Sequence, residues 1–340
     1  MSVNSIQISI IVPVYNSSGE LRECLSALIG SSHSGLEIIV VDDASTDGSP
    51  HVAAEMGVRV FRLPRNSGPS AARNYGARHA RGDIFFFVDA DVVVMCGAVS
   101  HVLKVLEEHP DVDAVFGSYD ACPRIKGIVS QYRNLLHHFV HQKGNPEAST
   151  FWAGCGAIRR TAFKEIGGFD EKRFPRYIED IELGYRLRQA RHRILLDKGL
   201  HGTHLKRWTL RSMIRTDIVG RAIPWTRLIL ESKNAPQDLN LKSGQRLSGV
   251  LTGLASLLLL LTPFRIELLG LSAGAFFGVI ALNRDLYAFF LRQRGLFFTT
   301  ACIPLHLLYY LYSGLTFSCV WLDFQVRGAV ALQPRAERRI

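Results

Sequence analysis

The run Ile84-Phe85-Phe86-Phe87-Val88-Asp89-Ala90-Asp91-Val92-Val93-Val94 constrains the fold more than any other stretch of the chain. A continuous apolar run of strand length that meets carboxylates reads as a buried central strand delivering acid groups to the C-terminal edge of a sheet. On an extended strand, residues i and i+2 share a face. Ala90 between them is small, so Asp89 and Asp91 can address one ligand. Hard oxygen donors at such an edge suit Mg²⁺ or Mn²⁺ carrying a phosphate, because these ions bind through a few carboxylates plus the substrate's own oxygens. Standing alone, the same residues also describe a strand followed by an acidic turn.

The chain of 340 residues has room for one large domain or two ordinary ones with ample core. Apolar residues make up 47% of it, and they are unevenly spread. The first ~240 residues pattern as a globular α/β protein, and the last ~95 carry long apolar stretches. Met1 to Gln7 is polar and lacks a basic n-region, and the apolar run after it is short and holds Pro13, so no signal peptide is expected. Cys24, Cys96, Cys122, Cys155, Cys302 and Cys319 show no C-x-x-C spacing. Neither a disulfide framework nor a zinc site is indicated, which fits a catalytic part in the reducing cytoplasm. The formal net charge of +10 points to phosphate-bearing substrates or an anionic membrane surface. Without an RNP-type aromatic motif or a helix-turn-helix signature, nucleic acid is not an expected partner.

Taken in order, Ile8 to Tyr15 reads as a strand, and Ser17 with Glu20 resembles a capping box. Leu21, Cys24, Leu25 and Leu28 follow at the spacing of a helical apolar face. Ile38 to Val41 is a second buried strand closing on Asp42 and Asp43, and Val58 to Phe61 a short third. Asn66 to Asn74 is a loop entering a helix with Pro69 in its first turn. Strands separated by helices, each ending in polar groups, describe an open parallel sheet with ligands at its carboxyl edge. Tyr15, Asp43, the 66–73 loop and Asp89/Asp91 then share one rim. Tyr15 beside Pro13 could stack on a nucleobase and a carboxylate could read a base N–H or a ribose; for Asp42 and Asp43 a turn or helix cap is the other reading.

Val112 to Phe116 is a further strand, and Lys126 to Gln142 a helix on which His137 and His141 stand four apart. No Glu lies between them in an H-E-x-x-H arrangement, so ordinary helix histidines are expected. Phe151 to Gly156 is a small-residue turn in which Gly154 would let a sugar or phosphate approach the backbone. Gly167-Gly168-Phe169-Asp170 is another turn, and Arg176 to Leu187 an amphipathic helix bearing Glu179 and Asp180 in its first turn.

Six short motifs carry a family resemblance: Val12-Pro13-Val14-Tyr15-Asn16, Val41-Asp42-Asp43, Asn66-Ser67-Gly68 with Ala72-Arg73-Asn74, Asp89-Ala90-Asp91, Gly167-Gly168-Phe169-Asp170 and Glu179-Asp180. In this order the first ~230 residues resemble a family 2 glycosyltransferase of the GT-A fold, a Rossmann-like, mostly parallel sheet flanked by helices. The resemblance implies inverting transfer of a sugar from a nucleotide donor, UDP by default and GDP as the other option, with Mg²⁺ or Mn²⁺ as cofactor. Pro13 and Tyr15 would frame the base and Asp43 would hold it. Arg73 would sit near the nucleotide, Asp89 near the ribose, and Asp91 would hold the metal on the diphosphate. Asp180, paired with Glu179, would be the general base, since a displacement that inverts needs its base opposite the leaving group, away from the metal carboxylates. Where processive synthases of the family carry Q-x-x-R-W, this chain has His204-Leu205-Lys206-Arg207-Trp208. His204, Arg207 and Trp208 are therefore candidates for the acceptor or diphosphate, and transfer of one sugar is favoured over a processive polysaccharide synthase or a non-catalytic nucleotide-sugar-binding scaffold.

Lys206 to Leu230 interleaves arginines with apolar residues, open to two readings: snorkelling side chains at a membrane surface, or a solvated basic helix. The expected layout is a catalytic domain over 1–230, a linker over 231–245, a membrane region over 246–325 and a basic tail over 326–340. Its spans are 247–264, 266–282 and 296–322, the first two short for a bilayer and joined by a tight hairpin at Arg265. Asn283-Arg284-Asp285 and Arg292-Gln293-Arg294 suggest a cytoplasmic connection, although three crossings would put the arginine-bearing tail outside. The expectation is a multi-pass protein of the cell (inner) membrane, its catalytic domain cytoplasmic and its acceptor lipid-linked or membrane-presented.

Overall fold

The computed structural model describes residues 7–31, 35–232 and 242–332, with side chains to Arg327. Most of the linker (233–241) and the end of the basic tail (333–340) lie outside the described residues. The chain divides into two compact units, Met1–Trp208 and Thr209–Ile340, the first ending ahead of the boundary expected at 230.

In the first unit the order is β1 (Ile8–Val14), α1 (Ser18–Gly30), β2 (Leu36–Asp42), α2 (Ser49–Glu55), β3 (Arg59–Arg62), α3 (Pro69–His79), β4 (Ile84–Val88) and β5 (Val92–Val94). It continues through α4 (Ala98–Glu108), β6 (Ala114–Tyr119), α5 (Ile128–Gln142), β7 (Cys155–Arg159), α6 (Arg160–Glu165), α7 (Glu179–Gln189) and β8 (Ile194–His204). The strands form an eight-stranded sheet in the order β3-β2-β1-β4-β7-β6-β8-β5. The β1–β2, β1–β4, β2–β3 and β6–β8 pairs are parallel; β7 runs antiparallel to both β4 and β6, and β5 antiparallel to β8. The sheet is therefore mixed, a parallel half with an antiparallel insertion. Leu21, Cys24, Leu25 and Leu28, the expected apolar face of α1, are fully buried against Ile10, Val12 and Phe86. Full burial of a leucine contributes about 1.5–3 kcal/mol.

Three local expectations are corrected. The Ile84–Val94 run is two strands: the chain turns at Asp89, where the Val92 N–H donates to the Asp89 carbonyl at 3.0 Å, and β5 leaves to pair with β8 (Val93 opposite Thr203). Asp89 and Asp91 are brought together by a turn, not by strand alternation. Ser17 forms no capping box, because its side chain makes no cap hydrogen bond and its N–H donates to Ser49 Oγ at 3.1 Å. Helix α7 starts at Glu179, not Arg176, since the Phe174–Pro175 backbone is occupied by Ser70: its Oγ donates to the Phe174 carbonyl at 2.5 Å and its N–H to the Pro175 carbonyl at 3.4 Å.

The second unit comprises α8 (Leu210–Arg215), a π-helical segment Thr216–Ala222, α9 (Ile223–Ser232), α10 (Ser243–Leu261), α11 (Leu268–Leu282) and α12 (Arg284–Leu332). Helix α12 is broken at Gly295 (φ +78°) and continues through residues expected to be tail. Helices α10 and α11 pack as a hairpin, with Ser272 Oγ donating to the Ala255 carbonyl at 2.8 Å. A polar seam joins α12 to it: Asn283 Nδ2 donates to Ser248 Oγ at 2.9 Å, and Tyr310 Oη lies 2.6 Å from Gln245 Oε1 and 2.9 Å from Asn283 Oδ1. In an apolar surrounding such bonds fix helix register better than leucine packing does. Among the described residues, two helices, Ser243–Leu261 and Arg284–Arg327, are long and apolar enough to cross a membrane. Leu268–Leu282, within the expected second span, has 15 residues. At 1.5 Å per residue it reaches about 22 Å, short of a hydrocarbon core of about 30 Å.

Candidate active site

The carboxyl ends of β1, β2 and β4 place three groups of residues on one rim. Tyr15 follows β1 and is 47% exposed, whereas Pro13 is buried inside the strand opposite Val41. Pro13 therefore leaves the exposed aromatic surface to Tyr15. Asp43, buried after β2, accepts the Ser67 N–H at 2.7 Å on one oxygen and the Gly68 N–H at 2.8 Å on the other. A carboxylate has about four acceptor directions, so this clamp leaves capacity for a ligand N–H. Gly68 is required there: its φ is +94°, and a Cβ would lie 2.3 Å from the Pro175 carbonyl oxygen.

Helix α3 then presents Arg73 and Asn74 inward. Arg73 is only 3% exposed. Its Nη2 donates to Asp89 Oδ1 at 2.6 Å and its Nη1 to Glu179 Oε1 at 2.7 Å, while the guanidinium carbon sits 5.5 Å from the Phe169 ring centroid. The family resemblance implies a place for Arg73 near the nucleotide, and both of its terminal nitrogens are paired with carboxylates. Glu179 is buried and pairs with Arg73 through Oε1.

Asp180, next in α7, is half-buried. Its Oδ2 accepts the Ala153 N–H at 3.3 Å and its Oδ1 the Ile181 N–H at 2.8 Å. Burial first, and the neighbouring Glu179 charge second, push its carboxyl up to about 8 against the opposing pull of Arg73. One loop serves both acids, for the carbonyl of Gly154 accepts the Asp89 N–H at 3.2 Å. Gly154 is small because a Cβ would meet the Trp152 indole at 2.6 Å.

Asp91 lies 3.5 Å from His204 Nε2 through its Oδ2, and the Leu205 N–H donates to its carbonyl at 2.9 Å. Burial would raise the Asp91 carboxyl, but His204 and then Lys206 outweigh it and hold it below the usual range. Among the described residues no three His, Cys, Asp or Glu side chains form a cation cage. An ionised Asp91 with an imidazole beside it nevertheless fits a divalent ion whose other ligands come from a diphosphate and water. Trp208 is buried with Lys206 Nζ 4.6 Å from its ring centroid, and Arg207 is exposed.

Sequence reading missed the rings around His204. Tyr119 stacks on His204 (4.1 Å between centroids, 11° between planes) and also touches His137 (4.4 Å) and Trp152 (4.8 Å). His137 and His141 are 3.9 Å apart, and burial with the neighbouring positive groups keeps the His137 imidazole neutral, well below its ordinary value. The i, i+4 spacing marked one face of α5, but nothing local signalled that β6, β8 and the 151–154 loop would converge on it.

With this geometry in view, residues 9–167 match the family profile of Glycosyl transferase family 2. The chain is 33% identical over 149 residues to Glycosyltransferase GlyA of Streptococcus pneumoniae, a match covering 43% of this chain and 21% of that protein. It is 38% identical over 126 residues to an uncharacterized glycosyltransferase of Haemophilus influenzae, covering 35% of this chain and 50% of that one. The matches thus span half or less of those relatives' lengths. Among solved structures, the mannosyltransferase PcManGT from Pyrobaculum calidifontis aligns over 92% of this chain and 86% of its own, with a TM-score of 0.56 at 20% identity, a likeness of fold. Residues 9–167, a little under half of the chain, thus form a domain of the glycosyl transferase family 2 type.

Proposed function

We propose that the first unit is an inverting glycosyltransferase that moves one sugar from a nucleoside-diphosphate sugar to an acceptor hydroxyl. The observation that carries this reading is the set of acids Asp43, Asp89, Asp91 and Asp180 supplied by three separate segments, with Arg73 joined to Asp89 and, through Glu179, to the start of the Asp180 helix. Tyr15 and Asp43 offer a ring face and an acceptor to the base, and Asp89 offers its outer oxygen to the ribose. A Mg²⁺ or Mn²⁺ held by Asp91, with His204 beside it, would offset charge on the departing diphosphate. Asp180 stands on α7, a different element from the 89–91 turn, and there it would take the acceptor proton while the leaving group departs on the other side; such a base contributes about 10²–10⁴-fold. The PcManGT complex holds GDP-Man and Mn²⁺; at 20% identity it supports the fold, so both UDP and GDP are carried forward.

The second unit supports a membrane setting. Leu260 (73%), Phe264 (80%), Phe277 (71%) and Phe297 (79%) expose large apolar side chains, more than a water-facing surface tolerates. The acceptor is therefore a lipid-linked or membrane-presented molecule, the first unit lying on the cytoplasmic side, in keeping with six free cysteines. His204 in place of Gln favours single addition over processive synthesis. Calorimetric binding of UDP, GDP and CDP with and without Mn²⁺, on the wild type and on Asp91→Asn, tests the donor site. One nucleotide binding in a metal-dependent way, and losing that dependence in the variant, is the expected result; absence of binding to all of them overturns the reading.

A further inference from the structure

We propose that Arg73 is a positioning residue that ties the donor side of the site to the helix carrying Asp180, rather than a nucleotide contact; the inference rests on the glycosyltransferase reading above. Arg73 is buried, and its planar fork is fully committed at both ends, to Asp89 Oδ1 on the 89–91 turn and to Glu179 Oε1 on the first residue of α7. Glu179 Oε2 and Arg73 Nε have no hydrogen-bond partner, so each of these residues is held through this junction alone. The rest of the junction is equally fixed: Phe169 covers the guanidinium face, and the Gly154 carbonyl and Ala153 N–H hold Asp89 and Asp180 from one loop. Of the two carboxylates paired with Arg73, Asp89 is the exposed one, at 33% of its side chain against 5% for Glu179. A ligand drawing on its outer oxygen therefore pulls on a rigid guanidinium whose other end is the start of α7. Lysine cannot reproduce this, because a single ammonium does not present two parallel donors to separate carboxylates. Occupancy of the donor site is thus transmitted to the alignment of the general base.

The test uses the full-length chain in detergent micelles, with UDP or GDP plus Mn²⁺ as probes, and reads hydrogen exchange of the 176–183 amides alongside calorimetry. In the wild type, nucleotide should slow exchange across 176–183. In Arg73→Lys the nucleotide Kd should stay within about threefold, under 1 kcal/mol, while that protection disappears. A Kd weakened tenfold or more would make Arg73 a nucleotide contact and overturn the proposal, as would protection that persists in the variant. If Arg73→Lys does not fold, Arg73→Met with Glu179→Leu removes the buried pair as a unit, a change proteins often tolerate. That double variant should bind nucleotide without protecting 176–183, and retained protection overturns the proposal. Wild-type protein that binds neither nucleotide overturns the donor-site reading itself, an outcome distinct from binding without transmission.

Discussion

Asn74 satisfies both backbone groups of Phe169, its Oδ1 accepting the Phe169 N–H at 2.9 Å and its Nδ2 donating to the Phe169 carbonyl at 2.8 Å. Two motifs 95 residues apart in sequence are thereby one structural joint. Gly168 has a φ of +74°, and a Cβ there would lie 2.7 Å from Asn74 Oδ1, so the glycine is what lets the turn approach the amide.

Asn74→Ala should accordingly destabilise the first unit. It leaves the buried Phe169 N–H unpaired at about 1–3 kcal/mol, while the Phe169 carbonyl keeps the Glu171 N–H at 3.0 Å. A fall in Tm of roughly 3–12 °C is expected for a unit of this size, read by thermal unfolding. A shift under about 2 °C would mean that water replaces the amide.

Asp180→Asn should cut turnover by about 10²–10⁴-fold while the nucleotide Kd changes less than about threefold. Rate measurement beside calorimetry checks it; loss of nucleotide binding would reassign Asp180 to the donor.

The rate should rise with pH. A base acts as its carboxylate, and burial with the Glu179 charge disfavours that form until pH passes about 8. A pH–kcat profile should climb from pH 6 to about 9 and flatten above, and the limb should vanish from the residual activity of Asp180→Asn. A profile falling over this range would give Asp180 the role of an acid.

Gly68→Ala should weaken nucleotide binding by about tenfold or more. The substitution strains a φ of +94° and drives a methyl into the Pro175 carbonyl, displacing the N–H that Asp43 accepts. Calorimetry with UDP and GDP reads the effect, and unchanged binding would separate the 66–68 loop from the base site.

The chain should fractionate with membranes and resist extraction by alkaline carbonate, and residues 1–208 expressed alone should not. Release of the full chain by carbonate would place α10 and α12 on a surface instead of across a bilayer.

Much of the parallel half of the fold is legible locally. The apolar runs of β1, β2 and β4 and the i, i+3, i+4, i+7 face of α1 follow from periodicities that a chain cannot hide. Asp43, Asp89, Asp91 and Asp180 were legible as candidates only together: each alone also reads as a turn, cap or helix-start acid, and their order among the other motifs marked them. Contacts between distant segments decided the rest. The Ile84–Val94 run reads as one strand until β8 claims Val92–Val94, because strand length is set by which neighbours supply hydrogen bonds. Helix α7 begins at Glu179 because Ser70 holds the Phe174–Pro175 carbonyls and Tyr177 takes a φ of +82°, so the residues before it form bends. Arg73 carries no local mark of its partners: one positive charge on α3 becomes a buried strut only when folding brings two acids to its two nitrogens. Local pattern thus chose the elements and the acids, while tertiary structure assigned each side chain its partner and its protonation, since both depend on burial and on charges remote in sequence.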